Sequence, residues 1–328
     1  MKDFILNLQL FAEMNTNVTT DSGLSAENKE YYDKLLIDVA GPELVHDQFA
    51  QKRDIPANSG KKITFRRFAS LPKATQPLTE GVTPDGKKLS VTEIEANIAQ
   101  YGDYIVQTDV LELTAIDKTI VEATKILGRQ AGLTLDTITR DKLHTTTNDW
   151  YVPKSDGAEV TDDSGLDDSC VLTVDQVMQI TAFLKKCNAP KINGDYVCIL
   201  HPFCAYDLMK DPQWRAPHEY KDTTNLYEGE LGKVGGVRFV ESSEAKVSAD
   251  GVFYPLFMGD GAYGTTEISG GGLEMIIKQK GSSGVADALN QRSSVGWKAM
   301  KTAEILVNEY LIRVHCKSAL SHKIDAAN

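Results

Sequence analysis

Residues 61–113 are the stretch that most constrains how this chain can fold. They carry strand patterns and turns, with too few apolar side chains to build a core of their own. Lys61 to Phe68 alternates partly between apolar and basic positions, which is a strand-like pattern. A turn-rich run follows, with Leu71-Pro72 and then Pro77 through Gly86. Residues 88–113 carry two further strand patterns, with a break expected near Gly102-Asp103 and the second strand running from Tyr104 to Leu113. An isolated two-stranded ribbon is only marginally stable in water. This ribbon must therefore lie against another part of the chain or against another copy of it.

Around that segment the patterns are mixed. Residues 117–146 predict the longest helix, with Asp117 as its cap and Ile120, Val121, Ile126, Leu127, Ala131, Leu135 and Ile138 at spacings near three and four. Such a helix is about 45 Å long. Gly128 and Gly132 lie inside it and each costs about 1 kcal/mol relative to Ala, so packing has to hold it. Thr173 caps a second predicted helix, Val174 to Cys187, whose apolar side is Val177, Ile180, Phe183 and Leu184. Tyr196 to Leu200 reads as a buried strand, and His201-Pro202 opens a short helix through Met209. Further strands are expected at Val237–Val240, Val252–Met258, Leu273–Lys278 and Ile305–Val314. Upstream, residues 28–50 show a helical pattern interrupted at Gly41-Pro42, and residues 14–28 are polar and arm-like. There is no βαβα alternation and no internal repeat, which excludes a doubly wound sheet or a TIM barrel and leaves an α+β architecture.

Charge narrows the function. The 328 residues carry a net charge of −11. Gripping nucleic acid through its phosphates requires a basic surface, so sequence-reading DNA binding is excluded, although a wall around DNA is not. Five cysteines without a C-x-x-C pair read as reduced thiols, several of them buried. No apolar run approaches the roughly 20 residues that span a bilayer, so no membrane partner is expected. At the N-terminus, Asn7 and Gln9 break up the apolar run, which reads as a short amphipathic segment with alternating Leu6, Leu8 and Leu10 rather than a secretory signal.

Residues that suggest chemistry lack the context it needs. Gly259, Gly261 and Gly264 match G-x-G-x-x-G after a strand, but no helix pattern follows to face a pyrophosphate, so a turn between strands is expected. Cys198, His201 and Cys204 lie close together without the paired spacing of a zinc site and fit core packing better. His218-Glu219 begins H-E-x-x-H, but Asp222 stands where the second histidine belongs. The acidic run at 162–168 lacks EF-hand spacing. No catalytic residue, cofactor or metal is therefore expected. Lys61, Lys62, Arg66 and Arg67 form the main basic cluster, read either as a solvated strand face or as a partner for acidic surface on a neighbouring copy. Exposed ion pairs are worth only about 0–1 kcal/mol, so such pairing would set orientation more than strength.

The order of elements, an arm, a β-ribbon, a long helix, a mixed α/β region and closing strands, resembles the HK97-like fold of tailed-bacteriophage major capsid proteins. The local sequence resembles the capsid family typified by phage N4 over roughly residues 40–315. The resembling stretches are Pro77 to Pro84, Gln100 to Tyr104 with Thr108-Asp109, Leu127 to Gly132 with Leu135-Asp136, Gly229 to Gly232 with Gly236 to Glu241, and Gln291-Arg292 with Val295 to Lys298. The resemblance implies an N-terminal arm at 1–60 and an extended loop at 61–113 that reaches over a neighbouring subunit. It implies a peripheral domain at 114–172 and 286–328, whose spine is the long helix, and an axial domain at 173–285. Its candidate inter-subunit contacts are Lys61, Lys62, Arg66, Arg67, Glu80, Lys87 and Lys88. The implied function is a structural shell subunit that self-assembles into hexamers and pentamers and encloses double-stranded DNA. The implied location is the virion capsid, assembled in the host cytoplasm, with scaffold, portal or decoration proteins as further partners. The alternatives are the shell of an encapsulin-like compartment and, from another class, a soluble enzyme using Cys198, His201 or Cys204.

Overall fold

The computed structural model describes residues 44–54, 62–68, 71–110 apart from 79, 82 and 84, 119–214, 230–266, 273–282, 289–323 and 328. Along the described chain run β1 (Gln51–Arg53), β2 (Lys62–Phe68), β3 (Val91–Asn97), β4 (Ala99–Thr108), α1 (Thr119–Leu143), β5 (Asp149–Tyr151), α2 (Val174–Lys186), β6 (Tyr196–Leu200) and α3 (Pro202–Lys210). Then follow β7 (Glu230–Val234), β8 (Val237–Glu241), β9 (Leu256–Met258), β10 (Tyr263–Thr266), β11 (Leu273–Lys278), β12 (Arg292–Lys301), β13 (Ala303–Ile305) and β14 (Leu311–His315).

The long helix is the member shared by two layers. Leu127, Ala131 and Leu135 recur every four residues on one stripe of α1 and are buried against Leu273, Met275, Val295, Trp297 and Ala299. These partners belong to a three-stranded sheet of order β11-β12-β4. Its centre is β12, paired antiparallel with β4 from Arg292↔Thr108 to Lys301↔Ala99 and with β11 on its other side. At its C-terminal end α1 meets a different layer, where Leu143 packs with Val197, Ile199, Val240, Leu256 and Met258.

That second layer is a six-stranded sheet of order β5-β14-β9-β6-β8-β7. Every residue of β6 is buried, because its two faces serve two cores. Val197 and Ile199 face Leu143, whereas Tyr196, Cys198 and Leu200 join Val177, Ile180, Leu184 and Leu208 of α2 and α3. Thr173 caps α2 as the sequence predicts, its hydroxyl accepting from Gln176 N at 3.4 Å. The sheet takes strands from 149–151 and 311–315 as well as from 196–258, so the stretch after residue 286 is divided between the two layers.

Several boundaries differ from the sequence expectation. The break expected near Gly102-Asp103 lies instead at Ile98, and β4 runs through Gly102. A Cβ at residue 102 would stand 2.5 Å from the Trp297 carbonyl oxygen, so this glycine permits close pairing and does not mark a turn. Residues 109–110 are helical, so β4 stops short of the expected Leu113. The strand expected over Val252–Met258 is confined to β9, after Pro255, whose ring nitrogen donates no ladder bond. The run Ile305–Val314 is interrupted by a 3-10 turn at Asn308–Tyr310. The expected cap Asp117 and the helical pattern over residues 28–43 lie outside the described residues.

Charged side chains fasten the layers internally. Asp136 of α1 accepts from the His46 backbone N–H at 2.7 Å and lies 2.7 Å from His46 Nδ1. Asp47 accepts from Thr139 Oγ1 at 2.7 Å and pairs with Lys301 Nζ, with both charged groups buried. The Tyr263 hydroxyl donates to the His46 carbonyl. The turn at 44–50 is thereby tied to α1, β10 and β12.

Candidate inter-subunit surface

β2 and β3 form a two-stranded antiparallel ribbon in register from Lys62↔Asn97 to Phe68↔Val91. Only its base has a core. Ile63, Phe65 and Ala96 are buried with Leu306 and Val307, and Ile94 and Tyr310 pack beside them. Phe65 packs against Gly264 of β10, where a Cβ would collide with the ring. The Arg53 guanidinium sits 5.7 Å from the Phe65 ring centroid on another side.

Beyond that base the ribbon leaves the body of the subunit. Arg66, Arg67 and Phe68 are exposed, and every described residue from Leu71 to Val91 is exposed as well. Phe68 is 64 % accessible, Leu78 78 % and Leu89 69 %, with Leu71 and Val91 also turned outward. Five large apolar side chains are thus exposed within residues 68–91 of the ribbon and its connecting loop, a density that marks an interaction site rather than ordinary surface scatter.

The candidate contact residues fall on this projection. Lys62 Nζ lies 2.5 Å from Glu95 Oε2, Arg66 Nε lies 3.1 Å from Glu93 Oε1, and Arg67 reaches Glu309 at 3.6 Å. All six side chains are exposed or nearly so, so the pairs brace the ribbon weakly and leave the charges open to further partners. Glu80, Lys87 and Lys88 are exposed in the connecting loop. Lys61 lies outside the described residues.

Two features escaped the sequence reading. The first is the outward face of the three-stranded sheet, with Tyr104, Val106, Ile276 and Met300 exposed. Its signal was present, because Tyr104-Ile105-Val106 is apolar on both faces of a strand, and only Ile105 turns toward α1. The second is a polar cluster at the end of the six-stranded sheet. His315 Nδ1 lies 2.5 Å from Asp163 and Nε2 3.2 Å from Asp149, while Tyr254 donates to Asp163 at 3.0 Å and Arg313 to Asp149 at 2.7 Å. The cluster holds the acidic loop onto β5 and β14. Partial burial is the largest single influence on the Asp149 carboxyl and pushes it up, but the hydrogen bonds and charges of Arg313 and His315 together outweigh it and hold the group below the usual carboxylate range.

The residues that suggested chemistry are placed otherwise. Cys198 is buried in β6, and Cys204 Sγ faces Cys316 Sγ at 3.8 Å inside the core. Burial pushes the Cys198 and Cys204 thiols well above the ordinary range, which removes the thiolate a nucleophile requires. His201 caps α3, its Nδ1 accepting from Phe203 N at 3.2 Å, and packs on the Phe203 and Phe253 rings. Gly259 and Gly264 are sites of close packing, the first beneath the Pro190 carbonyl; Gly259 and Gly261 lie in the turn from β9 into β10, and Gly264 lies in β10 itself.

Residues 146–259 match a family described as phage capsid protein. No curated protein matches the sequence. The fold is similar to the capsid structure of the cyanophage P-SCSP1u, with TM-score 0.63 and 16 % identity, covering 84 % of this chain and 89 % of that one. It is similar to the capsid of Ralstonia phage GP4, with TM-score 0.63, 13 % identity and coverage of 83 % and 88 %. It is also similar to a virus-like particle from Pyrococcus furiosus, with TM-score 0.52, 8 % identity and coverage of 88 % and 99 %. The chain has the mixed α/β fold of phage capsid proteins, the HK97-like fold.

Proposed function

We infer that this chain is a structural subunit of a tailed-phage capsid, a wall-forming protein rather than an enzyme. The observation that carries this reading is the ribbon. Its apolar end has no core within the subunit, in a chain whose fold matches two phage capsid proteins over more than four fifths of each. The family match over residues 146–259 favours a phage shell over a cellular compartment.

On this reading the domains run as the resemblance implies, an arm at 1–60, a reaching loop at 61–113, a peripheral domain at 114–172 and 286–328, and an axial domain at 173–285, with β5 and β14 of the peripheral segments lent to the axial sheet. Copies of the chain associate as hexamers and pentamers that close around double-stranded DNA in the virion, after assembly in the host cytoplasm. A closed shell needs self-complementary surfaces related by symmetry. The apolar end of the ribbon supplies the adhesive area, and Lys62, Arg66, Arg67, Glu80, Lys87 and Lys88 set its orientation. The net charge of −11 suits a container, since it discourages adhesion to the packaged polymer.

Negative-stain electron microscopy with size-exclusion chromatography tests the reading. Closed shells, or rings of five and six that grow into shells, are expected. A stable monomer or dimer under assembly conditions, with a scaffold protein supplied, would overturn it.

A further inference from the structure

The outward face of the three-stranded sheet carries an inference that stands independently of shell building. In β4 the side chains of Tyr104 and Val106 point away from α1, since Tyr101 and Ile105 point toward it. The register sets Tyr104 beside Gly296 and Gly296 beside Ile276, so this row across three strands has no side chain at its centre. Any Cβ at residue 296 would stand 2.6 Å from Tyr104 Cβ. Ser294 is the next outward residue of β12 on one side of Gly296, and on the other the Lys298–Glu274 ion pair at 2.9 Å stands before Met300. The result is a shallow trough along β12, walled by Tyr104 (68 % accessible) and Val106 (49 %) on one side and Ile276 on the other. Among the described residues nothing covers it.

Its shape and chemistry suit an extended segment with one apolar edge, and the chain contains one. Phe4, Leu6, Leu8 and Leu10 are apolar at every second position; Asn7 and Gln9 alternate with the last three, and Ile5 is the one apolar residue on the opposite face of this run. In extended form those four side chains span about 20 Å on one face, comparable to the outward run of β12. We propose that the chain's own Phe4–Leu10 occupies the trough and covers Tyr104, Val106 and Ile276 in the unassembled subunit.

The position of the first described residue favours the chain's own segment over another copy's. Leu44 packs against the same core cluster, between α1 and the inner face of this sheet, as Tyr101 and Ile105 do. The described chain therefore begins at this sheet, and 33 residues separate its first residue from Leu10. A tether of that length spans about 30 Å root-mean-square, against a sheet-to-sheet thickness of about 10 Å. Such a link holds its end at an effective concentration on the order of millimolar, so at micromolar protein the tethered segment wins over a free one.

Disulfide trapping in the full-length, unassembled chain tests this. Leu8→Cys combined with Val106→Cys is oxidised at micromolar concentration, and the bridge is located by peptide mass spectrometry. Native thiols give little background, because four of the five are buried and Cys187 is partly so. An intramolecular 8–106 bridge is expected. Leu6→Cys and Leu10→Cys should also be trapped, and Asn7→Cys and Gln9→Cys at least tenfold more slowly. Absence of the bridge, or equal trapping at odd and even positions, would overturn the proposal. So would bridges found only between two chains, or preferential trapping of Leu78→Cys against Val106→Cys, which would assign the trough to the ribbon of another copy. All these positions are outside the described core, so the variants should fold.

Discussion

Lys301→Met is the sharpest test of how the two layers are joined. The Lys301 ammonium is fully buried and pairs with Asp47, whose side chain is only 5 % accessible. The other Asp47 oxygen accepts from Thr139 Oγ1 at 2.7 Å. Met matches the lysine stem in length, so packing along β12 is largely kept and the change isolates the charge. What remains is a buried carboxylate with one hydroxyl donor. Removing one partner of a buried ion pair costs about 3–5 kcal/mol, because the survivor cannot regain water. At a urea slope of roughly 3 kcal/mol/M, that is a fall of about 1–2 M in the unfolding midpoint. The assay is urea unfolding of the unassembled subunit, followed by tryptophan fluorescence. Asp47→Asn added to Lys301→Met should bring stability back toward wild type, with a non-additivity of at least about 2 kcal/mol. A single-variant loss below about 1 kcal/mol, or strict additivity, would refute the claim that this pair joins turn, helix and sheet.

Other outcomes follow from the same geometry. Gly264→Ala drives a methyl into the Phe65 ring, and should cost about 1–3 kcal/mol and make the ribbon base a new site of limited proteolysis; an unchanged cleavage pattern would count against the docking described. His201 titrates at about 4, lowered by burial. The unfolded chain therefore takes up its proton first, so stability is full above about 6.5 and falls as pH drops toward 4. For a half-buried ring the loss is about 1–2 kcal/mol after screening. His201→Asn keeps a capping acceptor and should flatten that part of the pH–stability profile, and an unaltered slope would contradict the assignment. His144, buried with neither ring nitrogen hydrogen-bonded, is displaced in the same direction by burial and by the charges of His46, Lys246, Arg313 and Arg140, and steepens the decline. Deleting residues 72–87 should leave a subunit with wild-type melting behaviour that forms no shells; normal shell yield would sink the role given to the ribbon.

Local signals in the sequence were read correctly where one residue's chemistry decides one structural event. The Thr173 cap, the buried strand at 196–200 and the Leu127, Ala131, Leu135 and Ile138 part of the α1 stripe are of this kind, whereas Ile126, expected on the same stripe, is exposed. Gly102 was misread because a glycine in a strand has two meanings, a turn or a close approach, and only the partner strand at Trp297 distinguishes them. The contacts that join the layers were illegible for a different reason. His46 meets Asp136 across ninety positions and Asp47 meets Lys301 across 254, and neither periodicity nor spacing reports on such pairings. At the ribbon, the poverty of apolar residues is plain in the sequence, but only the fold shows that Ile63, Phe65 and Ala96 are buried at its base while Phe68, Leu71, Leu78, Leu89 and Val91 stay exposed.

The place of β14 has a consequence for timing. Residues 311–315 lie inside the six-stranded sheet, between β5 at 149–151 and β9 at 256–258. During synthesis the strands at 196–258 emerge long before the one that completes their sheet, and β9 waits with an unpaired edge until residue 315 has left the ribosome. Pairings between such distant parts of a chain form slowly, and open edges invite misassociation. The subunit therefore cannot finish folding on a partial chain. Truncated or stalled products would lack a closed sheet, so a chain that presents a finished sheet to its neighbours has been made at least through residue 315.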